Sequence, residues 1–498
     1  MITYLNFINL SFNVFFILKY LHIYQLKDYN FSRFFKFFIN FRLFYPVFCL
    51  FLILFQIFFK NFIATLAVNL ISIIANFIFN FNLIETQKTP LKYTPKIKRL
   101  YLISVIILLA SLSTPFSITL SNFSLLFLPA ISNFINIYDK IKNKHFIKSA
   151  QQKLKKVGCK IIAITGSNGK TSVKNILYEI LITTYKTQAT PKSFNTPLGI
   201  SKFINEQLNL DTEFLILEYG ARNKKDIQKL CKTFGADYGI VTTVSPQHLQ
   251  TFKSIENVFK TKQELSIFLQ HKLCIFNLDN LYTLRMFYNK PNIKIGTSIF
   301  TKTDISASNI YIKNFKTYFT LSINNKSYKI STQLLGEHNI LNITLATSLA
   351  FRLSIPINKI LSAIKKLKPI SHRLEYIKGK INILDDSYNC SLSSAKQAIK
   401  VLSTTKQQKI IATPGIIEGG KNQYNLNFEL GKLCTISDKC IIIGETNKKS
   451  IHSGMISCKY NERNIIFCKT LEEAKTKFTT LNKGDTLLLL NDLPDDYK

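Results

Sequence analysis

The chain has 498 residues, of which 47% are hydrophobic, including 41 Phe, and only 19% are charged. Its formal net charge is +36, but the lysines are scattered and no stretch interleaves basic with aromatic residues. This argues against a nucleic-acid-binding protein and favours a lysine-rich coding bias. The nine cysteines form no C-x-x-C pair and no His/Cys zinc spacing, which argues against a zinc protein and favours a reducing compartment.

The N-terminal third is dominated by Phe, Ile, Leu and Asn, with few acidic residues. A membrane-spanning helix needs about 20 mostly apolar residues. On that criterion residues 1–138 are predicted to form about five transmembrane helices: one near 5–24, two within 44–81 and two within 101–138. The alternative is that this region is the buried helical core of a soluble protein.

Basic residues concentrate between the predicted spans and directly after residue 138. Because basic loops stay on the cytoplasmic side, residues 140–498 are predicted to lie in the cytoplasm. The sequence thus predicts a protein of the inner (cytoplasmic) membrane, with the membrane as a partner. A short basic linker is predicted at 139–158.

The segment "KIIAITGSNGKTS", residues 160–172, predicts a strand, a glycine loop and a helix. Gly166 and Gly169 let the backbone close around phosphate oxygens. Lys170 is then placed for the β- and γ-phosphates, and the Thr171 hydroxyl for Mg²⁺. The spacing is a variant of the common phosphate loop, so it predicts a nucleotide site; the alternative is an ordinary glycine turn before a helix.

Further polar residues follow predicted strands. The strand "EFLILEYGA" carries Glu218 at its carboxyl end, the side of a parallel sheet where ligands bind, and a carboxylate there can bind Mg²⁺. His248 follows the strand "YGIVTTV", and Lys262 lies on the next helix. By itself, Glu218 is equally compatible with a strand end that faces solvent. A lone histidine such as His248 is more often structural than a ligand, and a lone helical lysine such as Lys262 is usually solvated. Alternation over 307–334 predicts a small antiparallel sheet.

From about residue 374, strand and helix patterns alternate, which predicts a doubly wound parallel sheet. The motif "DDSYN" ends the first of these strands. It brings Asp385, Asp386, Tyr388 and Asn389 to the ligand-facing edge of the sheet.

A series of motifs follows along the chain: "GSNGKTS", "LEYGA", "HLQTFKSIENVFKTKQEL", "FNLDN", "GEHNILN" and "DDSYN". In this order they resemble the Mur ligase family of peptidoglycan enzymes, and "TPGIIEGG" and "NDLPDDYK" are similar to its MurF branch. The resemblance covers about 155–498. It implies an α/β fold, with an ATP-binding central domain at 159–373 and a Rossmann-like C-terminal domain at 374–498, preceded here by the predicted transmembrane region.

The resemblance also implies an activity. It is ATP-dependent amide ligation that adds D-Ala-D-Ala to UDP-N-acetylmuramoyl-tripeptide through an acyl phosphate, in cytoplasmic peptidoglycan precursor synthesis. ATP and Mg²⁺ are the implied cofactors, and the implied partners are the two substrates, with no nucleic acid. The alternatives are another Mur-like amide ligase, of the folylpolyglutamate type, and a membrane transporter or scaffold with a regulatory nucleotide domain.

Site residues are implied by the matching motif positions. The residues implied to bind ATP are Gly166, Ser167, Asn168, Gly169, Lys170, Thr171 and Ser172 at the phosphates, Asn277, His338, Asn339 and Asn342 at the adenine, and Asp386 at the ribose. The implied metal ligands are Thr171, Glu218, His248 and Lys262, the last carbamylated by CO₂. The implied catalytic residues are Lys170, Lys262, His248 and Arg373, and the implied substrate-binding residues are Asn195, Thr196, Tyr388 and Asn389.

Five positions, in three segments, depart from the family pattern. The usual Y-N-A-N-P is replaced by "YNCSL" at 388–392, Gln247 stands where a small residue is usual, and Gly419 where leucine is common. The globular domain with which the family grips UDP is not recognised before the phosphate loop. These departures bear on substrate preference and leave the proposed metal ligands unchanged.

Overall fold

The computed structural model describes residues 2–26, 93–111 and 128–491, apart from 192–193, 248, 290–292, 389 and 418–421, together with scattered positions between 29 and 91. The chain divides into two compact units, Met1–Lys144 and His145–Lys498.

The first unit is helical over its described residues. Its helices are Ile2–Leu26 (α1), Pro95–Ser111 (α2) and the beginning of Leu128–Val157 (α3), which ends in the second unit. Phe16 and Leu21 of α1 are buried in one cluster with Leu100 of α2 and Ile135 of α3. The predicted basic linker at 139–158 is therefore largely helical, as the second half of α3.

The prediction of transmembrane helices is wrong for the part of the chain that the structure describes. None of the helices there is both long enough and apolar enough to cross a membrane. In α1, which covers the first predicted span, Asn9, Asn13 and Lys19 interrupt the apolar residues, and both asparagines are buried. The predicted inner-membrane localisation and the membrane partner rested on these spans and are corrected with them. The two spans predicted within 44–81 lie mostly outside the described residues.

Polar contacts also join the helices of this unit. The Lys96 ammonium donates to Asn136 at 2.6 Å, and Arg99 donates to the Asp139 carboxylate at 2.9 Å. Asn136 in turn donates to the Tyr24 hydroxyl at 3.3 Å. Hydropathy averages are insensitive to such pairs because they register composition and not side-chain partners.

The second unit contains a nine-stranded sheet in the order β2-β3-β1-β4-β5-β6-β7-β8-β9. Its strands are Lys160–Thr165 (β1), Thr187–Ala189 (β2), Phe214–Glu218 (β3), Tyr238–Val241 (β4), Leu273–Asn277 (β5), Ile293–Ser298 (β6), Ile305–Lys313 (β7), Lys316–Ile323 (β8) and Lys326–Thr332 (β9). Neighbouring strands are parallel up to β7, and β7, β8 and β9 form an antiparallel meander. The predicted antiparallel segment is thus continuous with the parallel sheet.

Helices cover both faces of this sheet. They are Lys170–Leu181 (α4), Pro197–Gln207 (α5), Asp226–Phe234 (α6), Leu249–Phe252 (α7), Ile255–Leu269 (α8), Leu281–Tyr288 (α9), Glu337–Arg352 (α10) and Ile357–Lys366 (α11). Successive β1 side chains point to opposite faces. Ile162 and Ile164 enter the core formed with α4 and α10, whereas Ile161 and Ala163 enter the core formed with α5, α6 and α8. This two-sided burial explains why β1 is apolar without alternation.

A second sheet follows in the order β10-β11-β15-β12-β13-β14. Its strands are Glu375–Ile377 (β10), Asn382–Asp386 (β11), Lys409–Thr413 (β12), Lys439–Ile443 (β13), Ile465–Cys468 (β14) and Thr486–Leu490 (β15). The helices around it are Leu392–Leu402 (α12), Gln423–Cys434 (α13), Lys448–Ser457 (α14) and Leu471–Phe478 (α15). All neighbours are parallel except β10 and β11. The predicted α/β architecture with a second, doubly wound sheet is confirmed.

Candidate functional site

The phosphate loop joins β1 to α4. Gly166, at φ +148°, lies against Thr242, and a side chain there would collide with the Thr242 hydroxyl. Gly169 is the N-cap of α4 at φ +82°, and a Cβ there would lie 2.7 Å from Asn342 Oδ1. Both positions therefore require glycine, because φ is positive at each and a side chain would collide with a neighbouring atom. The loop backbone and the N-terminus of α4 form a cradle suited to an anion.

Lys170 lies directly over this cradle. Its ammonium donates to the carbonyl oxygens of Gly166 and Ser167, both at 2.8 Å. Desolvation lowers the pKa of Lys170, against an opposing effect of Glu218 and with a smaller lowering by Arg373. The side chain is thus held where phosphate oxygens would replace the two carbonyl contacts.

A chain of polar contacts links the loop to the next strand. The Thr171 hydroxyl donates to one oxygen of Glu218 at 2.8 Å, and Asn195 Nδ2 donates to the other at 3.1 Å. Glu218 is the last residue of β3, paired in register with Ile164 of β1, and is only 1% exposed. Arg373 donates to the Thr171 hydroxyl at 3.4 Å. The buried Glu218 carboxylate is therefore bonded directly by Thr171 and Asn195, and Arg373 is connected to it through Thr171.

Lys262 lies on α8 and is 3% exposed. Desolvation, together with the nearby Lys170 charge, lowers its pKa to about 7, although Asp226, Glu218 and Glu264 oppose this effect. A large fraction of its amine is therefore neutral near neutral pH. A neutral amine has the lone pair that reaction with CO₂ needs.

The start of α10 forms another wall of the site. Asn339 donates to the Leu335 carbonyl at 2.8 Å, and Asn342 donates to Asn339 Oδ1 at 3.4 Å. Burial lowers the pKa of His338 to about 4, so the ring is neutral, and its buried Nδ1 makes no hydrogen bond. An unpaired buried polar atom is one whose hydrogen bond a ligand group can supply.

The second sheet contributes the opposite wall. Asp386, the last residue of β11, accepts from the Leu374 amide at 3.1 Å. Burial raises the pKa of Asp386 to about 7, although the Leu374 amide and Arg373 favour its charged form. The Arg373 guanidinium lies 4.3 Å from the centre of the Tyr388 ring. The segment around Arg373 thus connects the two walls.

A cleft of about 340 Å³ lies at this site. Of the residues predicted from the sequence, the cleft is lined by Ser167, Asn168, Gly169, Lys170, Thr171, Ser172, Asn195, Glu218, His338, Asn339, Asn342, Arg373, Asp386 and Tyr388. A second cavity of about 580 Å³ shares Ser172, Asn339 and Arg373 with it.

Some predicted residues lie elsewhere. Asn277 ends β5 but does not line the cleft, because its Oδ1 accepts from the Asp279 amide at 2.9 Å inside the fold. Thr196 is the N-cap of α5, where its hydroxyl accepts from the Gly199 amide at 3.2 Å. Gly166 of the loop and Lys262 of α8 do not line the cleft either. His248 and Asn389 lie outside the described residues.

Sequence reasoning missed other residues that line the cleft, namely Gly220, Ala221, Arg222, Gln247 and Ser394. The first three follow Glu218 at the end of β3. Because ligands bind beyond the carboxyl ends of parallel strands, these positions could have been predicted. Gln247 is distinguished in the sequence only by its departure from the family pattern. No local signal marks Ser394.

The cleft also contains possible metal ligands. Among the residues that the structure describes, no group of three or more His, Cys, Asp or Glu is arranged to hold a metal ion. At the cleft, the Thr171 hydroxyl and the Glu218 carboxylate lie next to each other. Both are oxygen donors, the type that Mg²⁺ prefers, and Mg²⁺ commonly uses only one or two protein carboxylates.

Comparison with known proteins identifies the family. The model of the Mur ligase middle domain matches residues 164–350. The UDP-N-acetylmuramoyl-tripeptide–D-alanyl-D-alanine ligase of Buchnera aphidicola subsp. Acyrthosiphon pisum is 30% identical over 360 residues, which cover 69% of this chain and 77% of that protein. This chain belongs to the Mur ligase family. The family predicted from the motifs is therefore confirmed.

Two further members of the Mur ligase family match different shares of this chain. The enzyme of the same name from Buchnera aphidicola subsp. Baizongia pistaciae is 32% identical over 292 residues, or 55% of this chain. The chain spans 63% of that relative's length. The crystal structure of MurF ligase from Thermotoga maritima in complex with ADP superposes with a TM-score of 0.64, at 22% identity, over 70% of this chain and 80% of that one. That similarity establishes the shared Mur ligase fold.

Proposed function

We propose that this chain is an ATP-dependent peptide ligase that adds D-Ala-D-Ala to UDP-N-acetylmuramoyl-tripeptide in peptidoglycan precursor synthesis. The observation that carries the proposal is its 30% identity, over 69% of the chain, to a relative with that name. The cleft supports it, since a phosphate loop and a wall from a second sheet meet around one buried carboxylate.

ATP is the proposed phosphoryl donor. The loop from Gly166 to Ser172 and the Lys170 ammonium provide the cradle for its phosphates. His338 has an unpaired Nδ1 for the adenine side, with Asn339 and Asn342 beside it, and Asp386 is available for the ribose. The ADP bound to the Thermotoga maritima relative supports the choice of nucleotide.

Mg²⁺ is the proposed metal cofactor. Thr171, Glu218 and a carbamylated Lys262 would hold it, with His248 as a further predicted ligand. A carbamate replaces a repelling ammonium by a hard anionic oxygen, and the lowered pKa of Lys262 favours its formation. Bound Mg²⁺ would neutralise charge on the transferring phosphoryl group and orient it.

The reaction has two steps. The terminal carboxylate of the tripeptide attacks the γ-phosphorus, so that an acyl phosphate forms and ADP leaves. The dipeptide amine then attacks the acyl carbon, loses a proton and displaces inorganic phosphate.

The chain contributes mainly charge and position to these steps. Lys170 and Arg373 would place positive charge beside the transferred group. Closely apposed walls would exclude water that otherwise hydrolyses the acyl phosphate. We assign Asn195 to the side of the muramoyl peptide and Tyr388, with the predicted Asn389, to the side of the dipeptide. The Thr196 hydroxyl is occupied by its helix cap, where it accepts from the Gly199 amide.

The test is an ADP-release assay with UDP-N-acetylmuramoyl-tripeptide and different amine substrates. We expect ADP release to require D-Ala-D-Ala and to yield the amide product by mass spectrometry. Release with glutamate instead would favour a ligase of the folylpolyglutamate type. No amide product with either amine, despite nucleotide binding, would overturn the proposal.

A further inference from the structure

Two of the residues that depart from the family pattern meet in space at Asn168 of the phosphate loop. Gln247 Nε2 donates to Asn168 Oδ1 at 2.6 Å. Asn168 Nδ2 donates to Ser391 Oγ at 3.4 Å and to Ser245 Oγ at 3.2 Å. Ser391 belongs to the "YNCSL" segment. The two unusual residues are therefore joined through one carboxamide.

The backbone of Asn168 is held independently of this carboxamide. Its amide donates to Thr243 Oγ1 at 3.1 Å, and its carbonyl accepts from the hydroxyls of Thr242 and Thr243. These backbone contacts leave the orientation of the side-chain amide undetermined. A carboxamide has its acceptor on one side and its donors on the other. Because Gln247 donates, Oδ1 must face it, and the Nδ2 donors are thereby turned toward Ser245 and Ser391.

Ser391 connects this carboxamide to the second sheet. It is the N-cap of α12, forms a capping box with Ser394, and follows the buried Cys390. Its position is therefore fixed by the core of the second sheet and not by the phosphate loop. Ser394, one turn along, lines the cleft. A contact from Asn168 to Ser391 thus ties the loop to the wall proposed to hold the dipeptide.

We propose that Gln247 is a positioning residue that orients the Asn168 carboxamide and so couples the phosphate loop to the N-terminus of α12. The inference rests on the proposed function in that the loop binds a nucleotide. It goes beyond that function because it assigns a role to two residues that the family pattern does not contain. Nucleotide bound at the loop and the wall formed by α12 are then energetically linked through Asn168.

The experiment measures ADP affinity by calorimetry on the full chain. Gln247→Met keeps the length of the side chain but removes its donor, and Ser391→Gly removes the hydroxyl while keeping an acceptable N-cap. Each loses roughly one hydrogen bond, so we expect each to weaken ADP binding by about fivefold. The double variant should be weakened by much less than the product of the two effects, because both act through one carboxamide.

The Asn168→Ala variant lacks the carboxamide through which Gln247 is proposed to act. There Gln247→Met should have no further effect on ADP affinity. If Asn168→Ala binds too weakly to measure, the Gln247→Met and Ser391→Gly double variant gives the same answer. The matched control is Gln228→Met, an exposed glutamine on α6, which should bind ADP as the wild type does.

Three results would overturn the inference: wild-type affinity in Gln247→Met, fully multiplicative effects in the double variant, or an undiminished effect of Gln247→Met in the Asn168→Ala background. The last would mean that Gln247 acts by packing. Failure of the wild type itself to bind ADP would instead contradict the proposed function. The two failures are thus distinguishable.

Discussion

Thr171 and Glu218 lie 47 positions apart, yet the Thr171 hydroxyl donates to the Glu218 carboxylate at 2.8 Å. The contact exists because β1 and β3 are adjacent and parallel, so their carboxyl ends open at the same edge of the sheet. Glu218 is almost fully buried, and such a charge is stable only when it is paired or coordinates a metal. This relationship motivates the first prediction.

Glu218→Gln should preserve the fold and remove the charge. A glutamine can still accept from Thr171, but it is a poor ligand for Mg²⁺. We expect kcat to fall on the order of 10²-fold, with a higher Mg²⁺ concentration needed for half-maximal rate. Magnesium titration of ADP release measures this. Glu213→Gln, at an exposed position just before β3, is the control, and equal effects of the two changes would contradict the role of Glu218.

Lys170→Ala should abolish ligation with little loss of stability. In the structure the Lys170 ammonium bonds two carbonyls of its own loop, so its removal leaves the cores on both faces of the sheet intact. We expect a fall of at least about 10³-fold in kcat, because positive charge at the transferring phosphoryl group is lost. ADP release and thermal unfolding are measured together. The control is Lys160→Ala, at an exposed position at the start of β1, which should ligate as the wild type does. Ligation retained in Lys170→Ala would contradict the role assigned to Lys170.

Lys262→Ala should be inactive and partly rescued by short carboxylic acids. These can supply the anionic oxygen that a carbamate would provide. The neighbouring Lys260 is exposed on the same helix, so Lys260→Ala should retain activity and show no response to added acid. Wild-type activity in Lys262→Ala would remove this residue from the site.

Asp386→Asn should raise stability at neutral pH and lower activity. Burial raises the pKa of Asp386 to about 7, above its value in the unfolded chain, so folding takes up a proton between pH 4 and 7. The wild type therefore loses stability as pH rises through this window. Above pH 7 it keeps the full cost of the buried carboxylate, whereas an asparagine has no charge.

Thermal unfolding of the two proteins across pH measures this difference. It should be small near pH 4, grow to about 4 kcal/mol by pH 7, as a pKa raised from 3.8 to about 7 implies, and level off above about pH 8. A difference that does not change with pH would show that folding does not shift the pKa of Asp386. The loss of activity is measured separately as a higher KM for ATP.

Local chemistry could be predicted from the sequence alone. The strand, glycine loop and lysine at 160–172 form a contiguous pattern, and Glu218 and Asp386 are strand ends that a parallel sheet brings to its ligand side. The family, and hence the fold of the two sheets, followed from the order of such motifs. The transmembrane prediction was wrong for the described part of residues 1–138. Hydropathy depends on average composition, whereas in the structure Asn9 and Asn13 are buried and Lys96 donates to Asn136.

Only the tertiary structure decided which distant residues share the cleft. Arg373 reaches Thr171 across 202 positions, and Asn168 joins Gln247 to Ser391. These contacts depend on strand order and on how the second sheet is placed against the first, which no local pattern specifies. The sequence by itself determined the phosphate loop, because its conformation is set by neighbouring residues. The tertiary structure determined what faces that loop, because those partners are brought there by packing over long separations.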